Sequence, residues 1–140
     1  MQYPSDNTLK DILSQSKTIA IIGAKDEQNT PVDQIGQYLI KVGYTVIPVH
    51  PIRKSVWGIP AYTSITKIPV TIDIIDLFRA PEFCPIHARE VISLLQPPQL
   101  FWMQKGIISP ESITIVQQNG ITAIENRCIM VEHKRLFSNI

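Results

Sequence analysis

The chain has 140 residues and a formal net charge of +1, so it carries no overall field that would attract nucleic acid or a membrane surface. No apolar run approaches the roughly 20 residues of a membrane helix, and the N-terminal residues lack the basic and apolar regions of a signal peptide. Two cysteines are too few for a disulfide scaffold and fit a reducing compartment, so a cytoplasmic protein is expected.

Apolar runs and helical patterns alternate along the whole sequence. In chain order they predict a helix over about 5–16, a strand at 18–22, a helix over 31–42, a strand at 45–49, an irregular stretch at 52–60, a short turn or helix at 63–65, a strand at 71–77, a helix over about 81–95, a strand at 100–103, a helix over 110–119, a strand at 121–124 and a final segment to 136. This alternation favours a Rossmann-like α/β fold with about five parallel strands in the order 3-2-1-4-5 and helices on both faces. We expect one domain over 1–140, with an N-terminal helix in 1–17 and the core in 18–136.

Three residues within these elements carry local expectations. Gly23 ends the first apolar strand, where the backbone must turn and can approach a ligand closely. Gly36 lies inside a predicted helix, and we expect it to allow close packing of that helix on the first strand. Pro48 removes a donor from the second strand, so the hydrogen bonding there is expected to be interrupted.

Six stretches of the chain match one family in order, and together they cover most of residues 18–136. They are Ile19–Gly23, Gly43–Pro51, Gly58–Pro69, Asp73–Arg79, Trp102–Ile107 and Asn126–His133. On these residues the sequence resembles the small stand-alone CoA-binding proteins, whose fold is like the CoA-binding domain of the succinyl-CoA synthetase alpha subunit. Nothing in the chain corresponds to the synthetase's phosphohistidine domain, so the resemblance implies binding rather than ligation.

The resemblance also implies a ligand crevice at the carboxyl ends of the strands. By position, its residues are Gly23, Ala24, Lys25, His50, Pro51, Phe78, Arg79 and Gln104. The chain departs from the family's pattern at Lys25 and at 30–33, where two hydroxyl donors are missing. Asp33 adds a negative charge near the expected phosphate, which predicts weaker binding or a different ligand.

The residues themselves also favour a phosphorylated ligand. The glycine pattern and the acidic residue of an NAD site are absent, and His50, Arg53 and Lys54 follow the second strand instead. Such a basic cluster suits coenzyme A or NADP, although two solvated loop cations are the alternative. We expect Gly23 and the following helix N-terminus to hold the pyrophosphate, and Arg53 or Lys54 to meet the 3′-phosphate of CoA.

Several side chains allow two interpretations. Arg79 either clamps phosphate or pairs with Asp76 or Glu82. Phe78 either stacks on the adenine or completes the core, and Gln104 either meets the ligand or bonds to loop backbone. Two further interpretations concern the cysteines, since Cys84 with His87 is too small a set for zinc and Cys128 is either a packing residue or an activated thiol.

The predicted function is binding of coenzyme A or an acyl-CoA, with no catalytic residue identified and no metal. One alternative is an NADP-linked or acyl-CoA-processing enzyme. Another is a protein-interaction module that retains a relic crevice and binds an unknown protein partner through Phe101, Trp102 or the tail at 136–137.

Overall fold

A five-stranded parallel sheet organises the computed structural model, which describes residues 3–138. In chain order the strands are β1 (Thr18–Ile22), β2 (Thr45–Val49), β3 (Ser55–Val56), β4 (Ile59–Pro60), β5 (Ile74–Leu77), β6 (Leu100–Met103) and β7 (Thr122–Ile124). The helices are α1 (Asp6–Gln15), α2 (Pro31–Lys41), α3 (Cys84–Ile92), α4 (Pro110–Gln117) and α5 (Ile129–Phe137), with 3-10 turns at Ile65–Lys67 and Pro81–Phe83. The predicted α/β class with a parallel sheet is confirmed.

Two stretches form regular elements that the sequence did not assign, and the predicted strand at 71–77 and helix at about 81–95 are shorter, at Ile74–Leu77 and Cys84–Ile92. The stretch at 52–60 is an antiparallel hairpin of β3 and β4, and the final segment is the helix α5. None of the helices in residues 3–138 is long and apolar enough to cross a bilayer.

The strand order β2-β1-β5-β6-β7 corrects the predicted order. Numbered along the chain, the five long strands lie as 2-1-3-4-5, so the third strand pairs with the first instead of lying beyond the second. The outer edge of β2 is already occupied by the returning chain. Tyr62 donates its N–H to the Pro48 carbonyl at 3.0 Å and accepts from the His50 N–H at 2.9 Å, which leaves no room there for another strand.

Pro48 is compatible with the sheet because β2 is an edge strand of the main sheet. Its carbonyl faces Tyr62 on the outer side, and the N and O of one strand residue point the same way, so the missing N–H also faces outward. The β1–β2 register therefore continues through the pairs of Ile21 with Pro48 and Ile22 with Val49. The interruption expected at Pro48 does not occur in this ladder.

Helices cover both faces of the sheet and enclose two apolar layers. One layer holds buried residues of α3 and α4, and the other holds buried residues of α1, α2 and α5. Phe101 and Trp102 point into opposite layers and are both fully buried. They belong to the core, which corrects the suggestion that they offer a partner surface.

Gly36 does pack closely, but its neighbour is the hairpin rather than β1. A Cβ on Gly36 would overlap the indole ring of Trp57. The helix α2 therefore contacts the β3–β4 hairpin through a position that requires a residue without a side chain.

Candidate functional site

A cavity of about 690 Å³ lies at the carboxyl ends of β1, β5 and β6. Its lining comes from the loops after these strands and from the first turns of α2 and α5: Gly23, Lys25, Thr30, Pro31, Val32, Gln34, Ile35, Phe78, Arg79, Ala80, Pro81, Gln104, Lys105, Gly106, Ile107, Cys128 and Met130. The chain leaves β1 toward one face through α2 and leaves β5 toward the other through α3. The cavity thus lies where the connections diverge, which is where open parallel sheets bind ligands.

Gly23 lets the loops after β1 and β5 meet. Its φ is +85°, and a Cβ there would overlap the carbonyl oxygen of Phe78. The amides of Gly23 and Ala24 both donate to the Val49 carbonyl, at 3.0 and 3.2 Å. These two amides are therefore used within the protein, and Gly23 contributes to the cavity by its lack of a side chain.

The N-terminus of α2 forms one wall of the cavity. Thr30 caps the helix by accepting from the Asp33 N–H at 3.4 Å, and Pro31 occupies the first turn. The positive end of an eleven-residue helix therefore borders the cavity and favours an anion there.

The Asp33 carboxylate lies outside the cavity lining. It accepts from Trp57 Nε1 at 2.8 Å and from Gln37 Nε2 at 3.0 Å, and the side chain is almost fully buried. The Asp33 carboxylate is therefore hydrogen-bonded to the hairpin and to α2. The sequence had predicted that it would lie near the phosphate.

Every charged residue that lines the cavity is a cation: Lys25, Arg79 and Lys105. Neither predicted ion pair of Arg79 forms, since its guanidinium lies over the Phe83 ring at 4.6 Å and no salt bridge to Asp76 or Glu82 occurs within residues 3–138. A guanidinium that lies over an aromatic ring keeps the N–H donors in its own plane free for an anion.

His50, Pro51, Arg53 and Lys54 do not line the cavity. His50 Nδ1 accepts from the amides of Ile52 and Arg53, at 3.1 and 3.0 Å, which fixes the turn after β2. The Arg53 guanidinium pairs at 3.0 Å with Asp26 and also binds Glu27, both in the loop after β1.

Cations in the loops after β1, β2 and β5 act on the imidazole of His50. Partial burial lowers the pKa of His50, and the positive charge of Arg53 acts in the same direction. Lys25 and Arg79 add to the lowering. The Glu27 carboxylate acts on the His50 pKa in the opposite direction.

Gln104 forms part of the cavity floor and is only 3% exposed. Its Oε1 accepts from the Ile129 N–H at 3.2 Å, so the predicted bond to backbone is present. Its Nε2 donates to no residue in the described chain. Phe78 is half-buried, since it packs on the core layer beneath α2 while it also lines the cavity.

The sequence analysis did not select the lining residues that come after Gln104 in the chain. Lys105 and Ile107 follow β6 directly, and the rule that selected Gln104 would have found them. Cys128 and Met130 begin α5, which carries too many charged residues for its helical pattern to be obvious. Their place in the cavity depends on the fold.

Cys84 and His87 make separate contacts in the structure. The Cys84 thiol is fully buried, and burial raises its pKa to about 11. His87 Nδ1 instead bonds to Glu90 at 2.7 Å. No group of three metal-ligating side chains occurs between residues 3 and 138.

Comparison with known proteins gives a consistent result. Residues 17–134 match the family described as CoA binding domain. The chain is 34% identical to the uncharacterized protein YneT of Bacillus subtilis (strain 168) over 95% of this chain and 97% of that protein. Among solved structures, cell-free ID.343 from Thermus thermophilus has a TM-score of 0.90 at 39% identity, over 96% of this chain and all of that one. A hypothetical protein from Pyrococcus horikoshii OT3 has a TM-score of 0.92 at 28% identity, covering 99% and 98% of the two chains.

Proposed function

The chain belongs to the family of CoA-binding domains, and on this basis we propose that it binds coenzyme A or an acyl-CoA in the cavity. The observation that supports this most is the distribution of charge in the cavity lining. Three cations and no carboxylate line it, together with the apolar side chains of Val32, Ile35, Ile107 and Met130. Coenzyme A combines the same two features, since it has an anionic phosphate end and a long, weakly polar arm.

In this proposal Lys25, Arg79 and the N-terminus of α2 hold the pyrophosphate. Charge-assisted hydrogen bonds from a guanidinium suit paired phosphate oxygens, and the helix end adds a favourable dipole. The Nε2 group of Gln104 donates to a carbonyl of the bound arm. The 3′-phosphate remains assigned to Arg53 or Lys54, which requires Arg53 to exchange its bonds to Asp26 and Glu27 for bonds to the ligand.

The proposal includes binding and no reaction. The cavity lining contains no carboxylate and no imidazole that would act as a general base beside a bound ligand.

Titration calorimetry of the native chain with CoA tests the proposal. Lys25→Ala and Arg79→Ala are each expected to weaken binding by about 1.5–3 kcal/mol, the range for a hydrogen bond to a charged group, which is about 10- to 150-fold in Kd. Lys41→Ala is the matched control because it removes a cation from the opposite end of α2. Equal losses in all three variants would contradict the proposed site.

The choice of nucleotide separates CoA from its alternatives. CoA is expected to bind more tightly than NADP, NAD or ATP under the same conditions, and tighter binding of NADP would favour the oxidoreductase alternative. The double variant Arg53→Ala and Lys54→Ala tests the 3′-phosphate assignment, because it should weaken CoA more than dephospho-CoA. An equal loss for both ligands would remove these two residues from the site.

A further inference from the structure

Cys128 is the cysteine that the proposed binding function leaves unexplained. It lines the cavity, is partly exposed, and its Sγ forms no hydrogen bond within the described residues. It also occupies the N-cap position of the nine-residue helix α5 without capping it. The Cys128 side chain therefore lies at the N-terminus of α5, where that helix borders the cavity.

Gln104 provides an independent sign that a ligand reaches this part of the cavity. Its side chain is 97% buried, and the bond from the Ile129 N–H anchors its Oε1 beside Cys128. The Nε2 group has no partner in the part of the chain that the structure describes. Because Gln104 lines the cavity, an acceptor on a bound ligand next to Cys128 would complete the hydrogen bonding of this donor.

The order of the strands orients the ligand in this inference. Lys25 and Arg79 follow β1 and β5, Gln104 follows the next strand, β6, and the N–H of Ile129 next to Cys128 donates to Gln104. A ligand whose phosphates contact the two cations therefore extends its arm across Gln104 toward Cys128. In coenzyme A that arm ends in a thiol.

We propose that Cys128 exchanges with the disulfide form of coenzyme A and holds one CoA as a mixed disulfide in the cavity. The inference rests on the proposed function. The Cys128 thiol loses its proton, and the thiolate attacks one sulfur of CoA disulfide. The Cys128–S–S–CoA bond forms as the original S–S bond breaks, and the other CoA leaves as a thiolate that takes up a proton. The Cys128 sulfur is oxidised and the departing sulfur is reduced, so CoA disulfide is the only oxidant required.

Intact-mass spectrometry of the reduced chain after addition of CoA disulfide tests this step, with peptide mapping to locate the adduct. One CoA adduct per chain is expected at Cys128 and none at Cys84, whose thiol is fully buried. The variant Cys128→Ser should lose the adduct, and the control Cys84→Ser should keep it.

The rate distinguishes directed exchange from ordinary thiol reactivity. CoA disulfide should react at least about tenfold faster than glutathione disulfide, because binding in the cavity raises the effective concentration of the disulfide at Cys128. Millimolar acetyl-CoA, which has no free thiol, should slow the reaction by occupying the cavity.

Equal rates with the two disulfides, or no adduct at Cys128 when calorimetry shows that the native chain binds CoA, would overturn the exchange and leave CoA binding intact. Failure of the native chain to bind CoA, together with no effect of acetyl-CoA, would refute the proposed function itself.

Discussion

Asp76 is a buried carboxylic acid in the middle of the sheet, and replacing it with asparagine should stabilise the protein in a pH-dependent way. It lies on β5 between Ile21 and Trp102 and is fully buried. Neither of its carboxyl oxygens has a hydrogen-bond partner within residues 3–138. Burial raises the pKa of Asp76 well above its usual value, so the folded protein holds this group as a neutral acid.

The sign and size of the effect follow from proton linkage. In the unfolded chain the carboxyl ionises near pH 3.9, while in the folded chain it keeps its proton to a much higher pH. Between the two pKa values the folded state binds one more proton than the unfolded state. The free energy of unfolding therefore falls by about 1.4 kcal/mol for each pH unit of increase. Over two such pH units, the free energy of unfolding of the native chain should fall by about 2.7 kcal/mol relative to that of Asp76→Asn.

Urea unfolding of the native chain and of Asp76→Asn at pH 5, 6, 7 and 8 measures this difference. All other titrating groups are shared, so the difference between the two chains isolates Asp76. The control is Asp73→Asn, since the Asp73 carboxylate accepts from the amides of Lys17 and Thr18 at 2.8 and 2.9 Å. That variant should lower the free energy of unfolding, because a neutral amide oxygen accepts more weakly than a carboxylate.

A stability difference between Asp76→Asn and the native chain that stays constant from pH 5 to pH 8 would refute this reasoning. It would mean that the Asp76 carboxyl is already ionised in the folded protein at pH 5.

Two further predictions concern a backbone constraint at Gly23 and the acid sensitivity of His133. Gly23→Ala should lower the free energy of unfolding by at least about 2 kcal/mol, since the new Cβ combines an unfavourable positive φ with overlap of the Phe78 carbonyl. Gly106→Ala is the control, because its φ is similar but the space around it is open, and it should cost about 1–2 kcal/mol. Equal losses of the two variants in urea unfolding would argue against the overlap. Burial lowers the pKa of His133, whose Nδ1 bonds to the Tyr38 hydroxyl at 2.6 Å. Because the unfolded chain then binds the extra proton, stability should fall as the pH drops below about 6.5, and His133→Gln should reduce that fall; an unchanged acid sensitivity would exclude His133 as its source.

The sequence is sufficient to predict the strands and helices that bury apolar runs. It is less informative about elements whose buried side includes charged residues that pair with each other. All five long strands were predicted because their residues are mostly apolar, as parallel strands covered on both faces require, and Asp76 is the charged exception, in β5. The helix α5 was left without a type, since its buried side includes Glu132, which Arg127 and Arg135 neutralise at 2.8 and 2.9 Å. A carboxylate on the inner side of a helix does not give an apolar pattern.

The same limit explains why Arg53 was assigned a ligand role from the sequence. Its partners Asp26 and Glu27 lie about 26 residues earlier in the chain, and only the fold shows that they meet. Arg79 was predicted partly because it also follows a strand, and Lys25 from its position in the family resemblance, and the fold leaves both in the cavity lining. A basic residue after a strand therefore identifies a region of the sheet edge, while the acidic side chains near it decide whether its charge is available.

The corrected strand order is what assembles the candidate site. In the predicted order 3-2-1-4-5, the third strand would have placed Arg79 two strands away from Gly23, with β2 between them. In the observed order β5 pairs with both β1 and β6, so Gly23, Phe78 and Gln104 follow three neighbouring strands. Pro48 already favoured this arrangement, because a proline belongs on an edge strand, and the predicted order would have made β2 internal. A consistent use of that one residue would have placed β2 at the edge of the sheet and excluded the predicted order.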